Sequence, residues 1–213
     1  MPKKLGSDRF VDRLSEVRSV SALWLLVNRF AKAQDFRTVT YHSIDVQSLG
    51  DSNFGAVAIG IPPAFQRMYT AERLYLDDPF PAFAASRISP FFWQDLSQMT
   101  TLTDKQQAYL RIAREHGFAD GLVCQVFGPQ ARNALVSIGF HEGRPRPSQA
   151  EVTALQMASQ LAHLRFCALV EGPGASYRAG SHGGKATRQS RRSWAYRGIR
   201  LIRSCGVCSA NWT

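Results

Sequence analysis

The chain has 213 residues, 45% of them apolar and 11% aromatic, which is enough to bury the core of one domain. Lys3 and Lys4 are followed by further charged residues instead of an apolar run, so the sequence predicts neither a secretory signal nor a membrane span, and we expect a soluble, cytoplasmic protein. The formal net charge of +10 is uneven, because residues 1–170 hold 18 Lys or Arg and 15 Asp or Glu whereas residues 171–213 hold 8 and 1.

Two helices are predicted at the start of the chain. Between residues 8 and 34, apolar side chains recur at the three- and four-residue spacing of one helix face. The repeat is interrupted near Ser19, so we expect one helix on either side of that residue. The apolar face consists of Phe10, Leu14, Val17, Leu23, Leu26, Val27 and Phe30.

A pair of strands follows. Thr38–Ile44 and residues 54–61 are rich in β-branched and aromatic residues, and the turn-prone residues 50–53 lie between them. This pattern predicts an antiparallel pair. The two prolines at 62–63 favour the first turn of a helix, which we expect to continue to about Tyr75.

Two capping boxes mark later helices. Thr103 with Gln106 predicts a helix start, and Gly117 is the stop signal of that helix. Ser148 with Glu151 predicts the start of a second, longer helix. The inner side of the longer helix carries Val152, Leu155, Ala158, Ala162 and Leu169.

Between these helices, residues 121–127 and 134–140 read as two strands joined by a turn near Gly128, so a hairpin is expected. The order of elements predicts an α+β fold, an α-β-α sandwich with a central antiparallel sheet that can enclose an apolar pocket. After residue 170 the apolar pattern ends. We therefore expect a domain over residues 1–170 and a basic, irregular and disordered tail over 171–213.

Catalytic and metal chemistry find little support in the sequence. The four cysteines form no disulfide framework, and the C-x-x-C pair at Cys205 and Cys208 has no second pair of ligands at a metal-site spacing, which leaves coincidence or a redox role open. G-x-S-x-G and H-E-x-x-H are absent, and the five histidines are scattered. We expect no enzyme, no metal and no cofactor.

Three short stretches between residues 65 and 93 carry the most informative pattern: F-Q-R-M-Y, L-D-D-P-F and S-P-F-F-W. They resemble the autoinducer-binding domain of LuxR-type quorum-sensing transcriptional regulators, in which W-x-x-x-Y is followed by an Asp before Pro and by a Trp fifteen residues beyond the Asp. The resemblance spans roughly residues 10–170. Tyr69, Asp78 and Trp93 fall in register with it.

The later strands extend the resemblance, because Gly121 matches a family glycine and Ser137 falls where a Ser or Thr lines the pocket. The resemblance implies a PAS/GAF-like sensor domain that binds an acyl-homoserine lactone or a related acyl amide. Asp78 would accept the amide N–H, and the hydroxyls of Tyr69 and Ser137 would donate to the acyl carbonyl. The ligand-binding residues that this implies are Ile61, Phe65, Tyr69, Asp78, Trp93 and Ser137.

Phe65 departs from the family pattern, since the family usually has a Trp there whose indole N–H donates to the lactone carbonyl. An unpaired buried carbonyl costs about 1–3 kcal/mol, so the departure predicts weaker lactone binding or a different head group. Asp78 is costly to bury without partners, so we also expect the domain to gain much of its stability from ligand.

Each matched residue also has an ordinary structural interpretation. Asp78 before Pro79 is a suitable helix cap, and Tyr69 and Trp93 are suitable core aromatics. Taken singly, these interpretations are the default. Because all three residues match the family pattern in one register, we favour the interpretation as a ligand-binding sensor domain.

The tail does not show the apolar periodicity of the helix-turn-helix expected after such a sensor. Regrouping the codons for residues 185–213 in another frame permits a string that closely resembles that helix-turn-helix, so one hypothesis is a frameshifted relic. The alternative is a disordered arm that binds nucleic acid through its basic residues.

We therefore expect a truncated quorum-sensing receptor that cannot activate transcription itself. It would form a homodimer, or a heterodimer with a full-length LuxR-type regulator whose action it blocks. Specific DNA binding is not expected. Nucleic-acid binding through the tail is the second interpretation, and an enzyme is the third.

Overall fold

The computed structural model describes residues 6–44 and 56–171, which form seven helices and five strands. In chain order these are α1 (Ser7–Leu14), α2 (Val20–Ala33), β1 (Thr38–Ile44), β2 (Ala56–Ile59), α3 (Pro63–Ala71), α4 (Pro79–Ala85), β3 (Phe91–Phe92), α5 (Leu96–Met99), α6 (Asp104–Glu115), β4 (Gly121–Val126), β5 (Asn133–Gly139) and α7 (Gln149–Glu171). Short 3-10 turns lie at Leu74–Leu76, Trp93–Asp95 and Pro129–Ala131. The predicted turn at 50–53 and the predicted tail beyond residue 171 lie outside the described residues.

The five strands form one antiparallel sheet in the order β2-β1-β5-β4-β3. Both predicted pairs are confirmed, β1 with β2 and β4 with β5. The structure adds two features: β1 and β5 pair along seven residues, which joins the two hairpins, and the short β3 extends the other edge.

Helices cover both faces of this sheet, so the predicted α-β-α sandwich is confirmed. The face covered by α1, α2 and α7 is called the α2 face, and the face covered by α3, α4, α5 and α6 is called the α3 face. Because successive strand residues point to opposite faces, β5 sends Val136 and Ile138 to the α2 face and Leu135 and Ser137 to the α3 face.

Side-chain caps begin α2, α6 and α7, and the sequence predicts the caps of α6 and α7. The Ser19 hydroxyl accepts from the Ala22 amide at the start of α2. Thr103 forms a complete capping box with Gln106 before α6. Ser148 forms a similar reciprocal pair with Glu151 at the start of α7, with its own amide 2.8 Å from Glu151 Oε2. These caps satisfy amides that have no intrahelical partner.

The helix that begins at the proline pair is shorter than predicted. It ends at Ala71 instead of continuing to Tyr75, because Arg73 adopts a left-handed backbone conformation with φ of 56°. A 3-10 turn then brings the chain to Asp78, the N-cap residue of α4. Within residues 6–44 and 56–171, no helix has the length and apolar character needed to cross a membrane.

Candidate ligand-binding site

The six residues that the sequence predicts as ligand contacts lie together on the α3 face. They form three groups: a carboxylate cluster around Asp78, an indole–hydroxyl pair at Trp93 and Ser137, and an apolar wall around Phe65 that includes Ile61. Trp93 packs against both apolar clusters of this face, so it connects the three groups. Their role in binding stays a prediction, whereas their proximity is a feature of the structure.

Asp78 forms the centre of the carboxylate cluster. Its Oδ1 accepts from the Phe80 amide at 2.9 Å, which caps the N-terminus of α4. Its Oδ2 accepts from the Tyr69 hydroxyl at 3.0 Å and from the Tyr109 hydroxyl at 3.1 Å. Asp78 thus uses Oδ1 as the helix cap that the structural interpretation expects. It uses Oδ2 as a hydrogen-bond acceptor inside the candidate site.

The electrostatics of this cluster follow from burial. Burial raises the pKa of Asp78 to about 6, while hydrogen bonds from the Phe80 amide and from Tyr69 and Tyr109 act in the opposite direction. Burial and the neighbouring carboxylate raise the pKa of both tyrosines well above 10. Both phenols therefore keep their protons at neutral pH and act as donors to Asp78.

The second group holds the Trp93 indole against the sheet. Its Nε1 donates to Ser137 Oγ at 3.0 Å. Next to the ring, Gly121 and Gly139 face each other across β4 and β5. A Cβ atom at Gly121 would lie 2.6 Å from Trp93 Cζ2, and one at Gly139 would lie 3.0 Å from Cη2. The glycine pair is therefore required for the close approach of the indole.

The third group is the apolar wall. Phe65 is 5% exposed and packs with its ring centroid 4.6 Å from that of Phe118 and 5.2 Å from that of His116. Ile61 and Met68 pack against the same cluster. Because a phenylalanine side chain has no N–H or O–H group, position 65 offers a ligand no hydrogen-bond donor.

Sequence reasoning missed three residues of the site. Tyr109 donates to Asp78 from α6, Phe80 places its ring centroid 5.8 Å from that of Trp93, and Thr40 lies opposite Ser137 across β1 and β5. A usable signal existed for Tyr109, since it lies among the apolar positions of a predicted helix and a buried phenol needs a hydrogen-bond partner. The other two depend on contacts between distant segments. In the described part of the chain, no group of His, Cys, Asp and Glu is suited to hold a metal ion.

A sheet covered by helices, with a few paired polar groups set among apolar side chains, is typical of small-molecule sensor domains. The family comparison is more specific, because residues 19–166 match the model of the autoinducer binding domain. The chain therefore belongs to the autoinducer-binding domain family found in LuxR-type regulators. This confirms the resemblance, and the family is one of receptor domains rather than enzymes.

Solved structures with a similar fold include two LuxR-type regulators. The N-acylhomoserine-lactone-dependent LuxR-family factor CepR2 from Burkholderia cenocepacia has 19% identity and a TM-score of 0.57, over 76% of this chain and 93% of CepR2. SdiA from Escherichia coli has 15% identity and a TM-score of 0.60, over 93% of this chain and 82% of SdiA. At these identities the likeness concerns the fold. No curated protein sequence matches the chain.

Proposed function

We propose that this protein is a quorum-sensing receptor that binds an acyl-homoserine lactone or a related acyl amide on the α3 face. The observation that supports this most is the Asp78 cluster: a part-buried carboxylate with two phenol donors, next to an indole–hydroxyl pair and an apolar wall. An acyl amide has one N–H donor, one carbonyl acceptor and an apolar chain, and the site offers a complement to each.

Ligand binding would replace hydrogen bonds within the site by hydrogen bonds to the ligand. It would therefore leave no polar group of the site unpaired. The amide N–H of the ligand donates to Asp78 Oδ2 and replaces the Tyr69 hydroxyl there, while Tyr109 keeps its bond to the same oxygen. The released Tyr69 hydroxyl then donates to the acyl carbonyl. Ser137, which accepts from Trp93, still has its own hydroxyl proton for that carbonyl.

The head group is where this receptor would differ from lactone-specific relatives. Phe65 faces Phe118 and His116 and has no N–H to give to a lactone carbonyl. One structure of SdiA is a complex with octanoyl-rac-glycerol, an acyl ester without a lactone ring, at 14% identity and a TM-score of 0.60. We therefore include acylglycerols and aryl or plant-derived amides beside lactones as candidate ligands.

The test is ligand-induced thermal stabilisation of the purified full-length chain, followed by calorimetric titration of each ligand that stabilises it. Asp78→Ala is expected to abolish stabilisation and to weaken binding by at least about a hundredfold, since it removes the acceptor and leaves two phenols unpaired. Asp77→Ala is the matched control, because it removes the neighbouring carboxylate outside the cluster. A flat response to the whole panel contradicts the proposal, as does an Asp78→Ala variant that binds normally.

Phe65→Trp tests the head-group part of the proposal. The indole would supply the missing donor, so lactone affinity should rise up to about tenfold relative to acylglycerol affinity. Taking the ratio of the two affinities corrects for any strain that the larger ring introduces beside Phe118. An unchanged ratio shows that position 65 does not contact the head group.

We further propose the domain division predicted above, with the sensor over residues 1–170 and a basic tail over 171–213 in place of a DNA-binding domain. The family match to residues 19–166 agrees with this division. Such a chain, located in the cytoplasm, would bind signal without activating transcription and would block a full-length LuxR-type partner by pairing with it. Co-expression with an intact regulator and a reporter gene tests this, because blocking requires reporter output to fall as the chain is induced.

Pairing, as a homodimer or a heterodimer, has support from the exposed side of α7. Met157, Leu161 and Leu164 recur at helical spacing and are 60%, 37% and 42% exposed. Leu161→Glu should therefore shift the chain toward monomer in light scattering. An unchanged mass would assign pairing to another surface.

Nucleic-acid binding by the tail is the second candidate function, and it rests on the excess of 8 Lys or Arg over 1 acidic residue in 171–213. Such binding would be non-specific and would fall steeply with salt. A gel-shift series on random and palindromic DNA separates the two functions. A receptor alone gives no shift at moderate salt.

A further inference from the structure

The first strand of the chain presents a row of three polar side chains to the α3 face: Thr38, Thr40 and His42. The residues between them, Val39 and Tyr41, point to the α2 face, and successive strand residues alternate. The Thr38 hydroxyl agrees with this alternation, because a Cβ atom added to Gly139 would meet both that hydroxyl and Cη2 of Trp93. The row therefore follows the same face of the sheet as the candidate site.

His42 is a part-buried side chain of this row with unused hydrogen-bonding capacity. It lies opposite Leu135 of β5, which belongs to a buried apolar cluster of the α3 face. Burial lowers the pKa of His42 to about 4, so the imidazole is neutral at neutral pH. Neither ring nitrogen has a hydrogen-bond partner among the described residues. The side chain thus offers one N–H donor and one nitrogen acceptor.

The order of groups along the sheet places His42 beside the acyl chain of the proposed ligand. The head-group wall lies at the start of β1, because Phe118 contacts Phe65 and its ring centroid is 5.8 Å from the guanidinium carbon of Arg37. The hydroxyl that would bind the acyl carbonyl belongs to Ser137, further along the sheet. The acyl chain therefore continues away from the wall. His42 lies on that side, two residues of β1 or about 7 Å beyond the level of the carbonyl.

A plain alkyl chain is a poor partner for this position. It would displace water from the imidazole without replacing the lost hydrogen bonds, which costs about tenfold to a hundredfold in affinity. A hydroxyl on the chain avoids that cost, because it can both donate and accept, whereas a carbonyl only accepts. A site that pairs a ligand hydroxyl in this way rejects the analogue that lacks it.

We propose that His42 determines the specificity of the receptor site by binding a hydroxyl group on the acyl chain of the ligand. The preferred ligand class is then a hydroxyacyl compound instead of one with an unsubstituted alkyl chain. The hydroxyl accepts from the imidazole N–H or donates to the bare ring nitrogen, so either neutral tautomer of His42 is satisfied. This inference deepens the receptor function proposed above and rests on it.

The test compares octanoyl-homoserine lactone with its 3-, 5- and 7-hydroxy derivatives by calorimetric titration of the full-length chain. We expect one hydroxy derivative to bind about tenfold tighter than the plain compound. The position of its hydroxyl reports the distance from the acyl carbonyl to His42. The same series on glycerol repeats the comparison without the lactone ring, for which Phe65 offers no donor.

Three variants assign the preference to the imidazole. His42→Leu provides an apolar side chain of similar size, so the preference for the hydroxyl should fall to about onefold while the plain compound still binds, which also shows that the variant is folded. His42→Gln retains a donor and an acceptor and should keep part of the preference. Ser43→Ala is the matched control, because the next residue of β1 points to the opposite face.

The outcomes separate this inference from the receptor function. Equal affinity of the native chain for the plain compound and every hydroxy derivative overturns the proposal, because water then satisfies the imidazole. A preference that His42→Leu leaves undiminished also overturns it, since another residue then binds the hydroxyl. Absence of binding by every compound of both series contradicts the receptor function, and this inference with it. Binding of the plain compounds therefore distinguishes the two failures.

Discussion

The two faces of the sheet are built from alternate residues of the same strands, yet they differ in chemistry. On the α2 face, the sheet contributes a buried apolar surface that includes Val136 and Ile138. On the α3 face, it contributes buried polar residues, namely Thr38, Thr40, Gln125 and Ser137, among apolar ones. One strand therefore contributes apolar residues to the core of one face and polar residues to the other face, where the candidate site lies.

The two faces are expected to contribute differently to stability and to binding. Apolar groups on the α2 face stabilise the folded chain by burial alone. Polar groups on the α3 face must be paired to be tolerated, and in this structure they pair with each other, as Tyr69 does with Asp78 and Trp93 with Ser137. A ligand that supplies the same pairs together with an apolar chain binds by exchange. Substitutions on the two faces should thus have separable effects.

Ile138→Ala should give the largest loss of stability. Ile138 is 3% exposed and lines a cavity of about 50 Å³ on the α2 face, so removing three carbons there costs about 2–5 kcal/mol of the free energy of unfolding. Urea denaturation measures the loss. Ligand affinity of the folded variant should stay close to that of the native chain, because the neighbouring Ser137 points to the opposite face. A large loss of affinity would show that the faces are coupled.

Asp78→Asn should raise stability at neutral pH while it removes ligand binding. The pKa of Asp78 is raised from 3.8 to about 6 in the folded chain, so stability from this group is present below about pH 4 and is lost as the pH rises through 6. Asn is uncharged and can still cap α4. The variant should therefore equal the native chain at pH 4 and exceed it by about 2–3 kcal/mol at pH 7.

Denaturation of both proteins at pH 4 and pH 7 checks this, with Asp77→Asn as control. A stability difference that does not depend on pH would mean that Asp78 is ionised as readily in the folded chain as in the unfolded one. Loss of ligand binding together with a gain in stability would show that the carboxylate is kept for recognition and lowers the stability of the empty domain.

Gly121→Ala tests how the Trp93 ring is held on the α3 face. The added methyl group would meet the Ile138 carbonyl oxygen of β5 at 2.5 Å and Cζ2 of the indole at 2.6 Å, so both the strand and the ring must shift and the bond from Trp93 to Ser137 is disturbed. We expect a loss of about 1–3 kcal/mol and weaker ligand binding. Gly6→Ala is the control, because nothing lies within 4 Å of an added Cβ there. A native-like Trp93 indole signal in the variant would contradict the prediction.

Much of the fold was predictable because its signals are local. Apolar periodicity located α1, α2 and α7, and the two capping boxes at Thr103 and Ser148 located the starts of α6 and α7. β-branched runs located both hairpins. The early end of α3 was not predictable, since it depends on a left-handed Arg73, a conformation that the residue type does not favour.

The site was predictable to the extent that a family pattern fixes its residues. The pattern identified Tyr69, Asp78 and Trp93, which the structure places on one face. It did not reveal that Tyr109 shares Asp78, or that Gly139 lies opposite Gly121 next to the indole. Both facts depend on the packing of α6 and on the β4–β5 register. The cavity on the α2 face leaves no local trace at all, because it results from how three helices meet the sheet.

Tyr109→Phe should give the smallest effect and the most specific one. Its hydroxyl donates to Asp78 Oδ2 at 3.1 Å and thereby lowers the pKa of that carboxyl, so the variant should raise the pKa of Asp78 above about 6. The cost, about 1 kcal/mol, should appear only above that pH, where Asp78 is ionised in the native chain. Carboxyl ¹³C titration by NMR measures the pKa. Tyr41→Phe, which removes a hydroxyl paired with His163 on the α2 face, should leave that pKa unchanged. If both variants changed the pKa of Asp78 equally, that pKa would depend on the stability of the whole domain, and the two faces would not be independent.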